Sequence, residues 1–197
     1  MNRAVKRMAV CLVALSSLLV SGGYSGAVQQ EHGRLAGRYY IQAQAMGEGT
    51  QLGRNFGVTV IVEQYSTPQD QQALIQAFRQ RGNEGLVNAL SRMSTKGRIS
   101  ITGTLGYDVS YIREFQMPDG RRRIRLVTNR PIRFGENWWD ARSMDYSLSA
   151  MEVDVNNGGK TTGTFYPACQ FKLDRDNQVE LELLQNPWRL VDVMIRH

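Results

Sequence analysis

Val109-Ser110-Tyr111-Ile112-Arg113-Glu114-Phe115-Gln116-Met117-Pro118-Asp119-Gly120-Arg121-Arg122-Arg123-Ile124-Arg125-Leu126-Val127-Thr128 is the stretch that decides the fold. Met117-Pro118-Asp119-Gly120 carries proline, aspartate and glycine in turn order, the signature of a tight hairpin. Val109, Tyr111 and Phe115 fall on one face of the arm that enters it. In the returning arm, Arg121 to Thr128, the residues Arg121, Arg123 and Arg125 project to one side and Ile124 and Leu126 to the other. A period of two on both sides of a two-residue-type turn predicts antiparallel neighbours.

The same pattern extends outward in both directions. Downstream, Asn156-Asn157-Gly158-Gly159 predicts a second hairpin between Tyr146–Val155 and Thr161–Leu173. Asp174-Arg175-Asp176-Asn177 predicts a third, returning through Val179, Leu181 and Leu183. Asn186-Pro187 leads to a last strand, Leu190–Ile195. Upstream, Tyr39, Ile41, Ala43 and Ala45 alternate with Tyr40, Gln42 and Gln44. Phe56, Val58, Val60 and Val62 alternate with Gly57, Thr59, Ile61 and Glu63, and Ile99 and Ile101 with Ser100 and Thr102. The period changes only between about 67 and 95. There Thr67-Pro68-Gln69-Asp70 reads as an N-cap, a proline at the first helical position and an acidic third residue. Leu74, Ile75 and Phe78 form one apolar stripe ended by Gly82; Asn83 is placed to cap a second helix carrying Leu86, Leu90 and Met93.

These readings predict a mainly β (α+β) domain: an antiparallel barrel or two-sheet sandwich of about nine strands with an inserted helical hairpin. Closure or stacking would bury the apolar faces and protect the strand edges. The chain of 197 residues, 42% hydrophobic, 21% charged and 9% aromatic, is long enough for one such core. No repeat, low-complexity tract or linker divides it, so a single domain is expected over 37–197, preceded by a flexible lead-in at 28–36.

Residues 1–27 read differently. Arg3, Lys6 and Arg7 precede an uncharged run from Met8 to Val20, and Ser25-Gly26-Ala27 supplies small side chains at a cleavage position. This is the layout of a secretory signal peptide, cut near Ala27, which predicts a secreted or periplasmic protein. The run breaks at Ser21-Gly22-Gly23, short of the roughly 20 apolar residues of a spanning helix, so no transmembrane span is expected in the mature chain. Removal of residues 1–27 takes away three basic and no acidic residues, leaving about +3 in place of +6. That charge gives no support to a nucleic-acid partner. Only Cys169 then remains, so the exported chain is expected to be held by its core and not by a disulfide.

The chemistry on offer is sparse. His32 and His197 lie in terminal segments with no ligand spacing. Cys169 shares the alternation of Phe165, Phe171 and Leu173 and reads as a small core residue. No Gly-x-Ser-x-Gly elbow occurs. Gly47, Gly49, Gly53 and Gly57 join two strands and lack the lysine of a phosphate loop, which leaves a flexible hairpin loop or a rim over a pocket. Asp174, Asp176 and Asn177 lack the glycine and the distal glutamate of a calcium loop. Glu152/Asp154 and Glu180/Glu182 form paired carboxylates of the kind used in glycoside cleavage, read here as solvated strand faces. No metal ion, cofactor or catalytic residue is expected.

Two features point to binding. Arg121, Arg123 and Arg125 form a ladder suited either to bidentate recognition of an anion or to cross-strand pairing with Glu152 and Asp154. Trp138-Trp139, in the irregular stretch 129–145, suits the mouth of a ligand site. The leading expectation is an exported, non-enzymatic protein that holds a small, amphipathic or anionic ligand in a β-rich cavity, with Trp138, Trp139, Arg121, Arg123 and Arg125 as ligand-binding residues. The alternatives are an envelope-associated interaction protein, meeting a partner or an anionic lipid surface through the arginine face or the helical hairpin, and a carboxylate-dependent hydrolase.

Overall fold

The computed structural model of the protein describes residues 38–132, 146–156, 158–173, 179–183 and 186–197. Residues 1–37, Trp138-Trp139 and the Asp174–Asn177 turn lie outside them.

The described residues form ten strands: β1 (Tyr39–Met46), β2 (Asn55–Val62), β3 (Gly97–Ile101), β4 (Tyr107–Val109), β5 (Tyr111–Gln116), β6 (Arg122–Thr128), β7 (Leu148–Val155), β8 (Thr162–Leu173), β9 (Val179–Leu183) and β10 (Trp188–Arg196). All belong to one antiparallel sheet in the order β4-β3-β2-β1-β10-β8-β7-β6-β5, with β9 beside the far half of β8. The architecture is therefore a single, nearly closed barrel-like sheet and not a two-sheet sandwich. Its two ends, β4 and β5, are consecutive in sequence and separated only by Ser110. This accounts for the tenth strand: the expected run Val109–Phe115 leaves one edge of the sheet and joins the other at that serine. Val109 consequently faces the barrel core while Tyr111 packs outside it, so Val109 does not share a face with Tyr111 and Phe115 as the alternation suggested.

Backbone groups at the seam find partners in flanking segments. Ser66 N–H donates to the Ile112 carbonyl (2.6 Å), the Ile112 N–H donates to Ser66 Oγ (3.1 Å), and Lys96 N–H donates to the Val109 carbonyl (2.7 Å). Unpaired edge groups are a liability, and here the residues that bracket the helical insertion cover them.

Two cores result. Inside the barrel, Tyr39, Ile41, Val58, Val60, Ile99, Ile112, Leu126, Met151, Phe165, Trp188 and Leu190 are among the buried side chains in contact. Outside it, α1 (Pro68–Arg92) lays Leu74, Leu86 and Leu90 on Tyr111, Leu148, Ala150, Tyr166 and Cys169. The expected cap is present: Thr67 Oγ1 accepts from Asp70 N–H (3.1 Å) and Asp70 accepts from Thr67 N–H (2.8 Å). The insertion is one helical run broken at Arg81-Gly82, where Gly82 adopts φ 58°. The break folds the run back on itself, since a Cβ on Gly85 would stand 2.3 Å from the Ala77 carbonyl oxygen. Asn83 acts beyond the cap role expected of it. Its amide donates to the Phe171 carbonyl and accepts from the Phe171 N–H, both at 2.8 Å. Past Cys169, where the register with β7 ends, a side-chain amide thus engages a strand's backbone.

Cys169 is buried as expected, but on the opposite face from Phe165. The pairing Leu148↔Cys169 and Ala150↔Tyr166 sets three residues of β8 against two of β7, a bulge around Pro167-Ala168 that reverses the alternation. Ser149, fully buried, ties that bulge: its hydroxyl accepts from Ile132 N–H (2.7 Å) and reaches the Pro167 carbonyl (2.7 Å).

Candidate functional site

A second bulge builds the site. Gln42 pairs with Met194 and Gln44 with Val191, so three residues of β10 pass two of β1. Trp188 and Leu190 point into the core, and after the extra residue Val193 and Ile195 pack against it again. A strict period of two from Leu190 would send Asp192 inward. The bulge turns it out, at the expense of a left-handed backbone, φ 51°, a conformation that Asp tolerates better than most residues but still uncommon outside glycine.

Asp192 closes one end of a concavity of about 560 Å³ on the outer surface of β10, β1, β2 and β3. Cross-strand register arranges its lining in rows. Met194, Gln42, Thr59 and Ser100 stand side by side across four strands, and Gln44 and Gly57 lead the next row, with Asp192 at one end and Thr102 at the other. With strands about 4.8 Å apart, such a row spans roughly 14 Å. Gly57 keeps the floor low, because a Cβ there would stand 2.7 Å from Thr102 Oγ1.

The polar groups of the groove divide into two sets. Ser100 and Thr102 hydroxyls donate to the Thr59 and Gly57 carbonyls (3.4 and 3.3 Å), and the Thr104 hydroxyl reaches the Ile101 carbonyl (2.9 Å). These hold the walls. Among the described residues, none hydrogen-bonds the Gln42 or Gln44 amides, the Thr59 hydroxyl or the Asp192 carboxylate. Two amides, a hydroxyl and one carboxylate therefore face the open groove, bordered by the half-exposed Met194.

The arginine ladder is placed elsewhere, on the outer surface of β6. Arg121 contacts Asp119 through its guanidinium (2.5 Å) and lies 3.8 Å from Asp154. Arg123 holds Asp154 with two bonds, at 2.5 and 2.9 Å, and Arg125 holds Glu152 through Nε at 2.5 Å. Cross-strand pairing is thus the arrangement of Arg123 and Arg125, while Arg121 pairs mainly with Asp119 in the turn, and the same contacts engage the Glu152/Asp154 pair. The Arg121 guanidinium keeps the Asp119 carboxyl below the usual carboxylate range. Trp138 and Trp139 lie outside the described residues; Trp188 packs in the barrel core, 4.6 Å from the Phe56 ring. Cys169 sits in a dry setting, and burial pushes its thiol up, away from nucleophilic use. His197 lies against the Tyr39 ring (5.9 Å). Among the described residues, no cluster of His, Cys, Asp or Glu could hold a metal ion, and no helix is long and apolar enough to cross a membrane.

One further polar group escaped the sequence reading. Tyr39 donates to the Tyr65 hydroxyl (2.5 Å), Tyr65 to Glu114 (3.0 Å), and Arg122 contacts the same carboxylate at 3.4 Å. Glu114 follows Ile112 by two residues in β5, and Arg122 precedes Ile124 by two in β6, so both continue the inward face toward the buried Tyr39.

Fold and site together define a barrel-like β protein with a helix on one outer flank and an open polar groove across β10, β1, β2 and β3. No protein-family model, curated protein or solved structure matches the chain.

Proposed function

We propose that this is an exported, non-enzymatic binding protein that holds a small hydroxyl- or amine-bearing molecule in the groove across β10, β1, β2 and β3. The observation that carries the reading is the convergence of the Gln42, Gln44, Thr59 and Asp192 polar groups, none engaged by another described residue, on one concavity of about 560 Å³. That volume falls in the range of small-molecule sites. Amides and hydroxyls offer paired donors and acceptors to a polar ligand, and the Asp192 carboxylate favours a neutral or cationic one. Backbone strain at a bulge beside a cleft is a common companion of a functional side chain.

The reading relocates the ligand from the barrel interior, where large apolar side chains meet, to the outer surface. It also favours binding over carboxylate hydrolysis, because Glu152 and Asp154 are held by arginines. The test is an NMR titration with monosaccharides and short alkyl amines at millimolar concentration. Amide signals of 42–44, 57–59, 100–104 and 191–194 are expected to shift together for at least one class, and Asp192→Asn to weaken an amine response about tenfold (about 1.4 kcal/mol). Shifts confined to other surfaces, or none with any probe, would overturn it.

A further inference from the structure

We propose a second, independent site: Arg113 and Arg125 together bind a single oxyanion group, such as phosphate, on the outer surface of β5 and β6. Arg113 stands directly opposite Arg125 in the β5–β6 register. Like charges placed so are destabilising unless something lies between them. Of the outward arginines here, Arg121, Arg123 and Arg125 each have a carboxylate, from Asp119, Asp154 and Glu152 in turn. Arg113 has none among the described residues, and its buried Nη1 has no hydrogen-bond partner. A buried, unpaired charged donor is costly. Four arginines against three carboxylates leave one positive charge, and it lies at Arg113.

The donors are also held in place. The guanidinium carbons of Arg113 and Arg125 lie over the same Phe115 ring, 5.8 and 5.3 Å from its centroid, and stacking of this kind orients a planar fork. Arg125 engages Glu152 through Nε alone, which leaves its terminal nitrogens to join those of Arg113 around one anion. Bidentate geometry of this type suits phosphate, sulfate or carboxylate oxygens. The sequence suggests Arg121, Arg123 and Arg125; the geometry keeps Arg125 and joins it to Arg113, which has no carboxylate partner among the described residues.

The experiment is thermal unfolding of the protein in phosphate against chloride at matched ionic strength, with Arg113→Gln and Arg121→Gln alongside. At phosphate ten times the dissociation constant, the wild type and Arg121→Gln are expected to gain roughly 3–6 °C, and Arg113→Gln to gain nothing while keeping its chloride midpoint within about 2 °C. Phosphatidylcholine vesicles with and without phosphatidylglycerol separate the sources. Retention on the anionic vesicles that is lost in Arg113→Gln assigns the oxyanion to a lipid headgroup; a phosphate shift without retention assigns it to a free ion. Equal shifts in wild type and Arg113→Gln, or neither shift nor retention in the wild type, would overturn the proposal. A collapsed chloride midpoint in Arg113→Gln is met by Arg113→Lys, which keeps the charge without the fork and is expected to lose most of the phosphate shift.

Discussion

Asp192 concentrates the site at the scale of one residue. Its left-handed φ costs roughly 1 kcal/mol, and glycine adopts the same backbone freely. Asp192→Gly is therefore expected to raise stability to urea by about 0.5–1 kcal/mol while removing the only carboxylate among the groove's described residues. Equal or lower stability, measured from the urea midpoint at unchanged slope, would show that the backbone there is not strained. Asp192→Asn separates the two effects, since asparagine tolerates the conformation and lacks the charge. Nothing in the alternation of Leu190–Ile195 announces this residue. A strict period of two assigns Asp192 to the core face, and only the extra residue in the pairing with β1 turns it outward. The groove's other contributors, Gln42, Gln44 and Thr59, read in sequence as the polar half of two ordinary strands. The register that sets them in rows is a property of pairing, which no single strand carries.

Elements show what the sequence does carry. The Pro118–Gly120 hairpin, the capping box at Thr67 and the break at Gly82 are legible because each is local chemistry: a turn, an N-terminus and a left-handed link. The arginine ladder was legible too, and its partners Glu152 and Asp154 were identifiable by alternation alone. Bulges were not, because one inserted residue at Pro167-Ala168 or Asp192 leaves composition unchanged and reverses every face beyond it. The apolar stripe by which α1 docks was legible, but the polar contact that anchors it was not, since Asn83 looks like a cap and binds the Phe171 backbone 88 residues away. Asn83→Ala leaves that half-buried N–H and C=O unpaired, and is expected to cost about 1–3 kcal/mol. Hydrogen exchange is the check: protection should fall at Phe171 and across the second half of α1, and leave β1 and β2 untouched. Uniform loss over the whole sheet would place Asn83 in the global core and not in the docking of one element.

For the whole molecule, closure places tyrosines on both sides of the sheet. Burial pushes Tyr39, Tyr111 and Tyr166 up to about 12 and raises Tyr65 as well. The unfolded chain releases those protons near the ordinary value of 10. The native state keeps them, so it binds more protons than the unfolded state over this range. The stability is complete below pH 10 and falls as pH rises toward 12. Thermal midpoints should decline over that window, and tyrosinate absorbance should appear in two stages, exposed rings first. A single stage near 10 would mean that the buried hydroxyls are not shielded. The function proposed for the molecule rests on the outer groove, and native mass spectrometry of the protein purified from an exporting host tests it most directly. The account predicts a reproducible small-molecule adduct on the wild type, lost on denaturation and absent from a Gln42→Ala/Gln44→Ala variant with an unchanged melting midpoint. An adduct equally retained by that variant, or a bare mass for both proteins after titration with monosaccharides and alkyl amines, would contradict it.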